Sequence, residues 1–281
     1  MAIVLALCAA LTFGVSDFSG GIASRRNGSS DIIVAVGVGI GFVVGLALAI
    51  VVPWSRFTPS DAAWSMGAGA LGTCGMLAFY RALAGGTMSI VAPVTAVVAA
   101  IVPVVTGLAT GDHPSTLGLV GIVLGLGSLA LFGGADDRPH HALPARSALL
   151  LAATAGAGFG CWSTFVAQTH HDAGMWPLVT ARATSAVIVA IGIVVMRAPR
   201  AVAKEARLLV VVAGTGEVVA NALYLTATRH GALSLVAVVA SLAPAMTIVL
   251  ARSILHERLL RHQQVALVCA LGALVLISLG S

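Results

Sequence analysis

Four polar residues stand inside one apolar segment at helical spacing and are the residues best suited to chemistry. They are Glu217, Asn221, Tyr224 and Thr228. Residues four, seven and eleven positions apart share one face of an α-helix, so the spacing predicts a polar stripe. An ionisable side chain in membrane hydrocarbon costs roughly 2.5 to 3.5 kcal/mol, and therefore faces a cavity or a partner. We interpret the stripe as one wall of a solute site, with Glu217 as the residue that binds and releases a proton. A structural hydrogen bond between helices is the alternative.

Three further residues are candidates for the same site. Arg182 lies about two turns into the preceding predicted helix, where it could pair with Glu217 or receive an anionic group of the solute. A salt bridge that only locks the two helices is the alternative. Asp17 is closer to a membrane face, which favours an interfacial or helix-end role over a site role. Trp162 could stack on a substrate, although packing against lipid is the commoner role of such a tryptophan.

Two prolines fall inside predicted helices and are hinge candidates. Pro93 and Pro244 each remove a backbone hydrogen bond and favour a kink. Kinks that line a central cavity could act as hinges; a static bend is the alternative.

No catalytic or metal-binding constellation is predicted. His140-His141 and His170-His171 fall in loops expected on opposite membrane faces, and neither a Ser-His-Asp arrangement nor an HExxH motif is apparent. The four cysteines are far apart and lack CxxC spacing. We therefore expect no enzyme activity and no cofactor, apart from proton coupling.

Composition places these residues in a membrane. The 281 residues are 59% hydrophobic and only 9% charged, against about 25% charged in an average soluble domain. Mean hydropathy is +1.04. The net charge of +5 comes from arginines in short loops, where such charges set topology and meet lipid headgroups rather than nucleic acid. The lipid bilayer and a small-molecule solute are the expected partners.

Ten segments are long and apolar enough to be membrane helices, since crossing the hydrocarbon takes about 20 residues. The predicted spans are 2–22, 32–52, 63–83, 88–109, 115–134, 147–168, 176–196, 207–228, 233–253 and 262–280. The fold class is thus all-α integral membrane. Glycines four residues apart, such as Gly37, Gly41 and Gly45, predict close helix packing within the monomer or in a homodimer.

The chain repeats itself at its midpoint. Gly86, Ser89 and Val91 recur as Gly231, Ser234 and Val236, and Asp112 pairs with Glu257 at the same offset of 145 positions. We interpret this as two five-helix repeats, residues 2–134 and 147–280. An odd number of helices inverts the second repeat, and inverted repeats are a recurrent plan of secondary transporters with a site near the midplane.

The same regions resemble the EamA family of the drug/metabolite transporter superfamily. The residues that carry the resemblance are Phe79-Tyr80-Arg81-Ala82-Leu83, Ser89-Ile90-Val91-Ala92-Pro93 and Gly111-Asp112 in the first repeat, and Ala220-Asn221, Tyr224, Ala227, Gly231 to Val236, Ser241-Leu242-Ala243-Pro244 and His256-Glu257-Arg258-Leu259 in the second. The resemblance implies a ten-helix exporter-like carrier, commonly of amino acids or other metabolites. Gly111-Asp112-His113 departs from the family's usual Gly-Glu-Arg.

Two arguments predict opposite orientations. The face with the odd-numbered loops takes twelve basic residues: Arg25, Arg26, Arg81, Arg138, Arg146, Arg197, Arg200, Lys204, Arg207, Arg252, Arg258 and Arg261. The positive-inside rule then puts both termini outside the cytoplasm, whereas the family resemblance implies both inside.

These observations together predict a secondary carrier of the cytoplasmic membrane that works by alternating access. Proton or exchange coupling through Glu217 is part of the prediction. The alternatives are a channel-like pore, and a membrane-embedded enzyme or non-transporting assembly partner.

Overall fold

The computed structural model describes residues 1–27, 30–85, 88–131, 145–196, 201–243 and 261–279, and all regular elements in these ranges are helical. The α-helices are α1 Ala2–Asn27, α2 Ser30–Val51, α3 Pro59–Gly85, α4 Met88–Thr110, α5 Thr116–Leu131, α6 Ala145–Ala167, α7 Trp176–Met196, α8 Arg207–Thr228, α9 Leu233–Ala240 and α10 Arg261–Leu279. Short 3-10 helices cover His171–Ala173 and Lys204–Ala206.

Six of these helices are long and apolar enough to cross a membrane. The spans are Ala2–Ser24, Asp31–Val51, Pro59–Phe79, Arg146–Ala167, Trp176–Val195 and Lys204–Thr228. Helices α4, α5 and α10 contain shorter apolar stretches, and α9 has eight described residues. The chain is therefore a multi-pass membrane protein. Six of the ten spans predicted from the sequence are helices long and apolar enough to cross a membrane. The end of the predicted span 233–253 lies outside the described residues.

The helices pack in two groups that each draw on both halves of the sequence. In the first, the α1–α8 group, α1 packs along α8 and also touches α9. In the second, the α3–α6 group, α6 packs along α3 and α4, and α3 also packs on α7. Helix α2 contacts α7 and α8, while α5 pairs with α10. The two halves of the chain are therefore interleaved rather than separate.

Glycines let the interleaved helices approach closely. A Cβ atom on Gly158 of α6 would lie 2.7 Å from the Cα of Gly75 in α3, and one on Gly214 of α8 would lie 2.7 Å from the carbonyl oxygen of Gly37 in α2. Such a distance excludes a side chain at these positions. Gly37 thus serves contacts within the chain, as predicted for close helix packing.

Small residues fill the interior and large apolar residues face outward. Ala6, Ala9 and Ala155 are fully buried, whereas Val43 and Ile50 are exposed. Large exposed apolar patches are unusual on a soluble monomer and are expected where lipid covers the surface. Helix α4 continues through position 93, so Pro93 does not end it; Pro244 lies outside the described residues.

Candidate functional site

An ion pair joins α7 to α8 inside the membrane-spanning part. Arg182 Nη2 lies 2.8 Å from Glu217 Oε1, and the two side chains are 8% and 24% exposed. The helices α7 and α8 otherwise touch each other little. Because α7 belongs to the α3–α6 group and α8 to the α1–α8 group, this pair links the two groups. The structure thus brings together two residues that sequence reasoning placed on neighbouring helices.

Helix α2 presents a glycine, Gly41, to the side chain of Arg182. A Cβ atom on Gly41 would lie 3.5 Å from both Arg182 Nε and the carbonyl oxygen of Gly214. The side chain of Arg182 therefore lies against Gly41 and reaches Glu217 from there. Three helices, α2, α7 and α8, meet at this point.

Asp17 brings α1 to the same place. Ser16 Oγ donates a hydrogen bond of 2.6 Å to the carbonyl oxygen of Ala213 on α8, and a Cβ atom on Gly216 would lie 3.3 Å from the Cβ of Ser16. Asp17 and Glu217 each follow one of these two contacting residues in the chain. Sequence reasoning favoured an interfacial position for Asp17. The structure extends α1 to Asn27, which moves Asp17 away from the helix end.

Asp17 and Glu217 point away from exposed residues of their own helices. Asp17 is exposed, and so is Cys8 on α1. Nine residues separate them, about two and a half helical turns, so their side chains point in opposite directions. The same spacing separates Glu217 from Leu208, which is 74% exposed. Both carboxylates therefore lie on the helix face opposite to such an exposed position.

The rest of the predicted stripe continues inward along α8. Asn221 and Tyr224 are each 3% exposed. The Tyr224 hydroxyl lies near that of Ser163 but makes no hydrogen bond of standard geometry among the described residues. Its ring centroid is 6.0 Å from that of Trp162 on α6. Thr228 Oγ1 donates to the carbonyl oxygen of Leu225, in its own helix, so it closes the helix end instead of lining the site.

Trp162 faces the interior. A Cβ atom on Gly72 of α3 would lie 2.8 Å from Trp162 Cδ1, and the other side of the ring meets Tyr224. The aromatic pair therefore spans the two helix groups, as the ion pair does.

A second polar cluster, missed by sequence reasoning, lies where the loops after α2, α6 and α8 meet. We call it the loop-end cluster: Asp61, His170, Asp172, Gly174 and Arg229. The carboxylate of the fully buried Asp61 accepts hydrogen bonds from the backbone N–H and the hydroxyl of Thr58, at 2.8 and 2.7 Å. It also accepts one from the backbone N–H of His170 at 2.8 Å and lies 2.8 Å from that residue's Nδ1. An ionised carboxylate only accepts, so Nδ1 carries the proton.

A local signal for part of this cluster was present in the sequence. Thr58 and Asp61 exchange hydrogen bonds at the start of α3, since the backbone N–H of Asp61 donates to Thr58 Oγ1 at 3.2 Å. This is the capping-box arrangement, with Asp in place of Glu or Gln. The spacing predicts a helix start but not the contact with His170.

Arg229 ties the end of α8 to the loop between α6 and α7. Its Nη2 donates to the carbonyl oxygens of His170 at 3.2 Å and of Gly174 at 2.9 Å. Burial lowers the pKa of Arg229, and the nearby carboxylates of Asp61 and Asp172 oppose that shift. The bonds from Arg229 join the two helix groups at this end.

The loop between α2 and α3 closes the same end. The backbone N–H groups of Ser55 and Arg56 donate to the carbonyl oxygen of Asp172, at 3.0 and 3.3 Å. Gly174 has a φ of 55° and lies against Trp54 and Pro53. That φ favours glycine because other residues would be strained there.

Comparison with known proteins identifies the family. The profile of the EamA-like transporter family matches residues 1–134 and 146–279. The chain belongs to the EamA family of the drug/metabolite transporter superfamily. This assignment brings the two-repeat EamA architecture with it.

A solved structure supports the fold. A chain titled "Crystal structure of protein" is 18% identical, with a TM-score of 0.76 over 100% of this chain and 99% of that one. At that identity the likeness concerns the fold alone. No curated protein matches this EamA-family chain.

The acidic residue that departs from the EamA pattern has a structural contact. Asp112 Oδ2 accepts a hydrogen bond of 2.8 Å from the backbone N–H of Ser234, in the first turn of α9. A carboxylate is stabilised there because the helix N-terminus presents free N–H groups. Glu257, its counterpart in the second repeat, lies outside the described residues.

The described part of the chain contains no group of three or more His, Cys, Asp or Glu residues that could hold a metal ion. His170 is engaged with Asp61. His140 and His141 lie outside the described residues.

Proposed function

We propose that this EamA-family protein is a secondary transporter that exports small metabolites, such as amino acids or related compounds, across the cytoplasmic membrane by alternating access. The observation that carries the proposal is the ion pair of Arg182 and Glu217 inside the membrane-spanning part. Charges inside a membrane protein are costly and usually mark a solute or ion path. This pair also bridges the two helix groups that would move relative to each other.

The repeat organisation supports an alternating-access movement of the two helix groups. Five helices per repeat give the second repeat an inverted orientation, and inverted repeats allow two related conformations open to opposite faces. The packing of α1 on α8 is matched by that of α6 on α3, and the packing of α2 on α8 by that of α7 on α3. Each helix group thus contains equivalent helices from the two repeats, and the groups rock about the site between them.

Proton exchange at Glu217 provides the coupling. A protonated Glu217 carries no charge, so it loses the ionic attraction to Arg182 and keeps at most a hydrogen bond from the guanidinium to a neutral carboxyl group. The guanidinium is then free to receive an anionic group of the solute, and α7 can separate from α8. Loss of the proton restores the pair and resets the site.

The loop-end cluster acts as the closed gate in this cycle. Arg229 on the α1–α8 group bonds to two carbonyl oxygens of the α6–α7 loop. Opening toward this face therefore requires both bonds to break, while the Asp61 contacts stay within the α3–α6 group. The positive-inside count and the family resemblance assign this face to opposite sides, so a topology reporter at each terminus belongs in the first set of experiments.

The test begins in cells, with and without the gene, across a panel of toxic amino acids, metabolite analogues and cationic compounds. We expect expression to lower the intracellular level of at least one compound and Glu217→Ala to restore that level. Glu205→Gln is the matched control, because Glu205 is exposed and lies in a 3-10 helix outside the site.

Proteoliposomes then separate the alternatives. A carrier shows saturation and countertransport of the labelled compound; a channel-like pore shows neither, and an assembly partner shows no flux. If flux is unchanged by pH and by Glu217→Gln, the proton role of Glu217 is wrong.

A further inference from the structure

Arg229 joins the two helix groups at one end of the molecule. It is the C-cap residue of α8, and its Nη2 donates to the carbonyl oxygens of His170 at 3.2 Å and of Gly174 at 2.9 Å, both in the α6–α7 loop. We call Arg229 with these two carbonyl oxygens the clamp. Ala2 lies against Gly231, two residues past Arg229, so α1 begins beside the clamp and its 26 residues lead to the opposite end of the molecule.

The opposite end has an equivalent loop arrangement. At the repeat offset of 145 positions, Asn27 at the end of α1 corresponds to Asp172 after α6. Asn27 Oδ1 accepts a hydrogen bond of 2.8 Å from the backbone N–H of Ala203, in the segment before α8. The carbonyl oxygen of Asp172 accepts backbone hydrogen bonds of 3.0 and 3.3 Å from Ser55 and Arg56, in the segment before α3. The end of α1 therefore holds the segment before α8 as the end of α6 holds the segment before α3.

The residue that corresponds to Arg229 in the first repeat is Ala84. The register is fixed close by, because Gly231, two positions after Arg229, matches Gly86, two positions after Ala84. Ala84 lies in the last turn of α3, as Arg229 lies at the end of α8. An alanine side chain has no hydrogen-bond donor. The first repeat therefore has the equivalent position but no group that could form the clamp.

The arginine nearest to Ala84 in the sequence corresponds to a residue outside the clamp. Arg81 lies one turn earlier on α3 and is exposed. Its counterpart at the same offset is Thr226, whose Oγ1 donates to the carbonyl oxygen of Ala222 in its own helix. The bridge between the two groups thus comes from position 229 of the second repeat and not from position 226.

We propose that Arg229 is a one-sided clamp, which biases this protein toward the conformation closed at the loop-end cluster. The inference rests on the proposed transport function. Inverted repeats reach the second conformation by exchanging their arrangements, so the end of α3 then meets the α1–α2 loop as the end of α8 meets the α6–α7 loop here. In that conformation Ala84 takes the place of Arg229, and the clamp is missing. The resting carrier therefore accepts its solute from the face opposite to the loop-end cluster.

Distances between the helix groups test the bias in the purified full-length protein, without requiring transport. The four native cysteines are replaced by serine, and nitroxide labels are attached to cysteines introduced at Val4 on α1 and Ser60 on α3, both exposed at the clamp end. Pulsed electron paramagnetic resonance measures the fraction of molecules with a longer separation, which are open at this end. We expect this fraction to be at least about tenfold larger in Arg229→Ala than in the parent, because two bonds from a charged donor are lost.

Ala84→Arg supplies the missing clamp at the opposite end. We expect it to raise the open fraction about threefold or more over Ala84→Met, which adds similar length without a donor. Ala84→Arg combined with Arg229→Ala should give the largest open fraction. A folded Ala84→Arg variant that matches Ala84→Met overturns the inference, and so does an unchanged open fraction in Arg229→Ala.

Arg81→Ala tests the one-sidedness without introducing a longer side chain. Added to Arg229→Ala, it should leave the raised open fraction as it is, because Arg81 does not hold the opposite end closed. A return to the open fraction of the parent would show that Arg81 clamps that end, and would overturn the inference even where Ala84→Arg does not fold.

The two proposals fail in different ways. Saturable flux in proteoliposomes, with label distances that respond to neither Arg229→Ala nor Ala84→Arg, would leave the transporter standing and remove the one-sided clamp. Label distances that shift as expected, in a protein that moves no compound, would keep the clamp and remove the transport function.

Discussion

The interior cluster, which is Arg182, Glu217 and Tyr224, and the loop-end cluster each contain an arginine and a carboxylate and use them differently. In the interior, Arg182 and Glu217 form a direct charge pair, and the Tyr224 hydroxyl makes no hydrogen bond of standard geometry among the described residues, although Ser163 lies near it. At the loop end, Asp61 is surrounded by four polar contacts and Arg229 bonds to carbonyl oxygens instead of a carboxylate. A carboxylate with all its contacts made, such as Asp61, fixes the structure around it, whereas a charge pair between two helices can open when one partner is neutralised.

The largest effect is expected from separating the interior pair. Arg182→Ala leaves Glu217 charged and unpaired, which costs about 3 to 5 kcal/mol for a buried pair. We expect loss of transport and a large fall in thermal stability, measured by unfolding in detergent. The double variant Arg182→Ala with Glu217→Ala should recover most of the stability, because neither charge is then left alone. A double variant no more stable than Arg182→Ala would show that the unpaired Glu217 carries no cost and would contradict this explanation.

Asp61→Asn should have the next largest effect and shows whether the loop end is structural. The amide has one oxygen, so two donors lose their acceptor, either the pair from Thr58 or the pair from His170, and the remaining bonds lose their charge assistance. A loss of about 1.5 to 3 kcal/mol in unfolding free energy is expected. Asp172→Asn is the control, since Asp172 is exposed and its backbone carbonyl makes the contacts. A stability loss in Asp172→Asn as large as in Asp61→Asn would contradict this view.

Arg229→Ala tests whether the loop end opens. Two hydrogen bonds from a charged donor are removed, each worth about 1.5 to 3 kcal/mol, so the open population should rise at least about tenfold. The measurement is the rate at which a membrane-impermeant thiol reagent reaches a single cysteine at position 13 on α1.

The control for this experiment is Arg56→Ala, which removes an exposed positive charge from the same face and keeps the backbone bond to Asp172. Equal labelling rates in the Arg229 variant, the Arg56 variant and the parent would refute the gate.

Gly214→Ala should have the smallest of these effects. It tests the helix packing beside the Arg182–Glu217 pair and does not touch the loop-end cluster. The added Cβ would lie 2.7 Å from the carbonyl oxygen of Gly37, so α8 must shift away from α2 and take Glu217 with it. We expect about 1 to 3 kcal/mol of destabilisation and weaker transport. Gly39→Ala, where an added Cβ meets nothing within 4 Å, should be neutral. Equal destabilisation at both positions would contradict the packing explanation, because helix propensity alone favours alanine over glycine.

Much of the local structure could be predicted from the sequence. The spans 176–196 and 207–228 are confirmed by Trp176–Met196 and Arg207–Thr228, because apolar length and loop polarity define both ends. The stripe of Glu217, Asn221 and Tyr224 follows from helical periodicity. Asp61 and His170 were missed because 109 positions separate them, and no local pattern connects a helix cap to a distant loop.

By itself the sequence determined that this protein is a multi-pass helical membrane protein with a repeated plan, since hydropathy and periodicity are properties of the chain alone. Only the tertiary structure decided which helix faces meet: that Ser16 of α1 packs on Ala213 and Gly216 of α8, that Trp162 lies against Tyr224, and that Arg229 reaches the loop after α6. The physical reason is that spacing fixes the direction of a side chain on its own helix, while the partner it finds depends on how small residues let helices distant in sequence approach.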